Sequence, residues 1–91
     1  MKPLVTPVVN INGTSKSELL RQQTDIMNAI SDLQKVMRQA TPNGRDFQTV
    51  GHRAVIDARD AFNERYNLLT KMYEEFQHVA IEIQKQQGGQ S

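Results

Sequence analysis

The 91 residues include no cysteine and no tryptophan, and only two histidines. Without cysteine there is neither a disulfide nor a thiolate metal site. His52 and His78 are too few to build a histidine metal centre. Long apolar runs are missing as well: nothing approaches the ~20 consecutive residues that cross a bilayer. The Val-rich patch behind Lys2 is broken by proline and lacks the apolar core of a signal peptide. An excess of one charge is also absent. Eleven basic and ten acidic side chains leave a net charge of +1, with no global pull toward nucleic acid or anionic lipid. The expectation is a single cytoplasmic domain with no metal, no cofactor and no membrane partner.

What the chain has in quantity is helical pattern. Pro3 and Pro7 oppose a helix at the start, and Val5, Val8, Val9 and Ile11 favour extended backbone, so residues 1–14 read as an arm. Ser15-Lys16-Ser17-Glu18 fits a capping box: Ser15 accepts from the Glu18 amide, and the Glu18 carboxylate can reach back. A first helix is predicted over about 16–40. Pro42 disfavours helical backbone at Thr41, and Pro42-Asn43-Gly44 suits a tight turn. A second helix is predicted over about 50–86, with residues 87–91 a disordered tail. The fold class is therefore all-α: an antiparallel helical hairpin over 15–86 with an extended N-terminal arm.

The first helix carries Leu19, Ile26, Ile30, Leu33, Met37 and Ala40 at steps of seven, three and four, with Gln23 the one polar member. Leu20 and Met27 flank this seam on one side, Ala29 and Val36 on the other. The seam of the second helix is Val55, Ala58, Phe62, Arg65, Leu69, Met72, Phe76, Val79 and Ile83, with Tyr66, Tyr73 and Ala80 beside it. Pairing outward from a tight turn sets Met37 near Val55, Leu33 near Ala58, Ile30 near Phe62 and Leu19 near Met72. That pairing leaves Phe76, Val79 and Ile83 without a helical partner, to be covered by the arm. The apolar share is only 37%, and a lone hairpin is a thin structure. Each helix also has more apolar surface than one partner hides, so a homodimeric four-helix bundle or a higher homo-oligomer is expected.

Two clusters suit anions. The first is the turn with the start of the second helix: Asn43, Arg45, Asp46, Phe47, His52 and Arg53, approached by Lys35, Arg38 and Arg59. Free amides at a helix start and planar guanidinium groups both favour phosphate or carboxylate. The same arginines can equally pair with Asp32, Asp46, Asp57 and Asp60 on a solvated surface. The second cluster is Asn12, Gly13, Thr14 and Ser15, which either holds phosphate or simply caps the first helix. It lacks the spacing of a nucleotide-hydrolysing loop. In an antiparallel dimer one copy's first-helix start can approach the other's turn, making a composite pocket. Arg65 and Gln23 interrupt apolar seams: each either fixes register, with the Arg65 stem snorkelling, or, for Arg65, faces a ligand in a bundle cavity. Tyr66 and Tyr73 are either interface packing or a stacking platform.

No catalytic set emerges. Glu74 and Glu75 point to different helix faces and are no acid/base pair. The basic residues are interleaved with acids and form no recognition helix, which argues against DNA binding. The chain reads as non-enzymatic.

Across Asn10-Ile11-Asn12-Gly13-Thr14-Ser15 and Pro42-Asn43-Gly44-Arg45-Asp46-Phe47, and over nearly its whole length, the chain resembles a group of small tailed-phage and prophage proteins. These share an N-G-T-S run, a helix, a P-N-G-R-D-aromatic turn and a second helix. The motifs themselves certify no activity. A phage context implies two roles. One is an anti-defence sponge in the host cytoplasm, an oligomer that withholds a phosphorylated nucleotide-like immune signal at protomer interfaces. There Arg45 and Arg53 would bind phosphate, Phe47 or Tyr66 a base, and Asn43 and Asp46 ribose hydroxyls. The other is a structural or assembly protein, or an adaptor that inhibits a host protein through a helical face.

Overall fold

The computed structural model describes residues 3–10 and 13–86. Helix α1 spans Lys16–Gln39 and helix α2 spans His52–Lys85, with a short 3-10 helix, Gly44–Phe47, between them. No strand occurs among the described residues. The two helices pack as an antiparallel hairpin, and its overall extents are 62 × 24 × 16 Å. The 16 Å dimension is little more than the ~10–12 Å diameter of one helix, so the hairpin is a single layer.

Local chemistry sets the ends. The Ser15 hydroxyl accepts from the Glu18 amide at 3.1 Å and caps α1. The reciprocal half of the expected capping box is not made, because the Glu18 carboxylate turns to Arg21. Ala40 closes α1 by donating to the Met37 carbonyl. Asn43 starts the 3-10 turn, its side chain accepting from the Arg45 amide at 2.9 Å. Gly51 then precedes α2 with φ at +93°, the only positive φ among the described residues.

The connection is longer than a tight turn, and this shifts the pairing. Gln34 donates to the Tyr66 carbonyl and to the Thr70 hydroxyl. Lys16 donates to the Gln86 carbonyl at 2.8 Å. Leu19 therefore lies against Val79 and Ile83, not Met72, and Leu33 is level with Leu69 rather than Ala58. The expected pairing of Leu19 with Met72 and Leu33 with Ala58 is corrected accordingly. Val79 and Ile83 do have a helical partner.

The arm closes the same end. Val9 packs with Leu19, Val79 and Ile83, and Leu20 lies against this cluster. The Gln86 side-chain amide grips the arm's backbone: Val9 N donates to its Oε1 and its Nε2 donates to the Pro7 carbonyl, both at 2.8 Å. The expectation that the arm covers this end holds in part, within one chain: Val9 covers Val79 and Ile83, Phe76 lies outside the cluster, and Ile11 lies outside the described residues. Val5 and Val8 remain 80% and 75% exposed, so only one of these three valines is used. The tail at 87–91 lies outside the described residues.

The inner stripe of α1 also differs from the expected seam. Leu19, Gln23, Met27, Ile30, Gln34 and Met37 face α2 and are buried or half-buried, whereas Ile26 and Leu33 are 37% and 47% exposed. Those two line up with Ala29, Val36 and Ala40 on a neighbouring stripe, rotated by about a quarter turn at ~100° per residue. On α2 the corresponding exposed stripe holds Arg65, Leu68 and Met72. Both stripes are rotated in the same sense from the contact line. Since the helices are antiparallel, that sense brings both onto one broad side of the layer. The other broad side is polar: Gln34, Arg38, Tyr66 and Thr70 form its hydrogen bonds between the helices.

Candidate functional site

At the turn, Asn43 and Pro42 are half-buried, Arg45 and Asp46 are exposed, and Phe47 half-covers the end of the hairpin. A shallow recess of about 190 Å³ is lined by Gly44, Phe47, Gln48, Gly51, His52 and Val55. Gly51 supplies no side-chain cap to α2. The turn thus brings Asn43, Arg45, Asp46, Phe47 and His52 to one pole, as the sequence suggested. The surrounding cations are largely committed. Arg53 pairs with Asp57 at 3.3 Å and Lys35 with Asp32 at 3.9 Å, each within its own helix. Arg59 donates to the Pro42 carbonyl at 3.1 Å, tying α2 to the turn. Arg38 donates to the Tyr66 hydroxyl at 2.5 Å. Arg45 has no ion pair among the described residues.

The second cluster is at the opposite pole. Asn12 lies outside the described residues. The Gly13 amide donates to the Asn10 carbonyl at 3.3 Å, Thr14 is exposed and Ser15 is occupied as the α1 cap. An added Cβ at Gly13 would fall 3.1 Å from the exposed Asn10 side chain, which would have to give by a few tenths of an ångström. The 24 residues of α1 separate the two clusters by about 36 Å at ~1.5 Å per residue. A single chain does not combine them.

Arg65 and Tyr66 are neighbours on different sides of the layer. Arg65 is exposed on the apolar broad side, and Tyr66 is half-buried with its hydroxyl on the polar side. Tyr73 is half-buried. A wide groove along Asp60, Asn63, Glu64, Asn67, Leu68 and Lys71 lies on the outer surface of α2 alone and encloses nothing. Among the described residues no group of His, Asp and Glu side chains could hold a metal ion. No helix among the described residues is long and apolar enough to cross a membrane.

The feature that sequence reasoning did not isolate is the apolar broad side. Ile26, Leu33, Val36, Leu68 and Met72 are 37%, 47%, 62%, 56% and 43% exposed there. Its signal in the sequence was the extra flank of Ala29 and Val36 beside the first seam. No family model, no curated protein and no solved structure matches the chain.

Proposed function

We propose that this chain is a non-enzymatic helical assembly protein that works as a complex of its own copies, with a protein surface as its principal partner. The observation that carries this reading is the apolar broad side of a one-layer hairpin. A layer needs a second layer to bury such a surface, and exposed apolar patches of this kind mark interaction sites. The phage resemblance fits an assembly protein or an adaptor that blocks a host protein through the same helices. Light scattering over a concentration series tests it. The expected mass is twice 10.4 kDa or a higher multiple. A monomer at every concentration overturns it.

A second reading rests on the turn: Arg45, with no ion pair among the described residues, shares one pole with Phe47, His52 and the uncapped start of α2. In this reading the oligomer sequesters a phosphorylated, nucleotide-like host signal, with Arg45 and Arg53 on phosphate and Asn43 and Asp46 on hydroxyls. The recess at this pole is smaller than the ~300 Å³ at which ligand pockets begin, and none of Asn43, Arg45, Asp46 and Arg53 lines it, so a second copy would have to complete the pocket. A thermal-shift screen against nucleotide second messengers tests it. A ligand at ~100 times its dissociation constant adds ~2.7 kcal/mol, and Arg45→Glu should abolish that shift. A flat response across the panel removes this reading and leaves the first.

A further inference from the structure

We infer that a second copy of this chain docks on the apolar broad side with its α1 antiparallel to the first, the two-fold axis passing beside Leu33. This rests on the self-association reading and specifies its surface and geometry. The α1 stripe runs Ile26, Ala29, Leu33, Val36, Ala40, alternating in steps of three and four. About Leu33 the stripe is complementary to itself. Leu33 meets Leu33 of the other copy, Ile26 lies level with Ala40, and Ala29 lies within one residue, ~1.5 Å, of Val36. Small residues thus face large ones on both sides of the axis, the arrangement that lets two helix surfaces interdigitate.

On the α2 side, the alignment brings Arg65, which has no ion pair among the described residues, between Met72 and Glu75 of the second copy. The five large exposed side chains offer on the order of 400 Å² per copy, at the size where a patch on a monomer becomes functional. The flanking alanines and the Arg65 stem extend it toward the ~800 Å² per partner of a stable interface. The polar broad side offers no comparable surface, because its groups are used in hydrogen bonds between α1 and α2.

The chain lacks cysteine, so single thiols report the geometry directly. Leu33→Cys under mild oxidation should give a covalent dimer in high yield. Ala29→Cys mixed with Val36→Cys should give the mixed dimer at least tenfold over either homodimer. Gln77→Cys, on the polar side, should give little. Separately, Leu33→Asp should raise the dimer dissociation constant at least 100-fold while circular dichroism keeps the helical signal. If the protein self-associates but cross-links through Gln77 and not through Leu33, this docking is overturned and the assembly reading stands. If the protein is monomeric throughout, both fall.

Discussion

Gln23 places a polar side chain on the inner stripe of α1, and its Oε1 is buried with no hydrogen-bond partner among the described residues. A buried acceptor left unmatched costs about 1–3 kcal/mol. Gln23→Leu is therefore expected to stabilise the fold by about 1 kcal/mol, read as a rise in the denaturation midpoint, and an unchanged or lower midpoint contradicts it. Gln34, not Gln23, is what the sequence reading misses: it occupies the inward face, where apolarity alone would not put it, and is accommodated by Tyr66 and Thr70. At the surface, the hydrogen bond from Arg21 holds the Glu18 carboxyl below the ordinary carboxylate range. The stability from this pair is thus fully present above the usual glutamate pKa and is lost as pH falls through the depressed folded value. In an NMR titration the Glu18 midpoint should move up in Arg21→Gln. An unmoved midpoint would show that the pair does not form in solution.

Helix existence and ends are legible because their causes are local. Ser15 caps, Pro42 stops, and the periodicity of apolar side chains persists for whole turns. Rotation about the helix axis is not local. Ile26 and Leu33 satisfy a three-four spacing as well as Met27 and Ile30 do, so two adjacent stripes compete for the contact line. Only the packing against α2 decides between them. Pairing was displaced for a related reason: the 3-10 turn and Gly51 lengthen the connection beyond what Pro42-Asn43-Gly44 alone indicates. Gly51 is the test of that element. With φ +93° and ψ 168° it occupies backbone essentially reserved for glycine, although open space surrounds its Cβ position. Gly51→Ala should destabilise by about 1–3 kcal/mol through backbone strain alone, lowering the denaturant midpoint at constant m-value. A neutral result would mean that the connection relaxes to another conformation.

The candidate site shows the same division at the scale of the whole molecule. Neighbours in sequence, Asn43 to Phe47 with His52, were gathered correctly at one pole. Gly13, Thr14 and Ser15 lie at the opposite pole, as an antiparallel hairpin requires, about 36 Å away along α1. The broad apolar side became visible only when both helices were placed. If copies associate through it, thermal unfolding obeys mass action. The melting temperature should then climb with protein concentration across two orders of magnitude, and for Leu33→Asp it should stay flat. A concentration-independent melting temperature in the parent chain would speak for a stable monomer.

The grip of Gln86 on the backbone at Pro7 and Val9 ties together positions separated by almost the entire chain. A covalent bridge of a few glycines across that pole would replace a contact already made and lose little entropy. New ends could then be opened at the exposed Gly44, where an added Cβ meets nothing within 4 Å. The molecule is thus a candidate for circular permutation, with the order of its helices in the gene reversed and their packing retained.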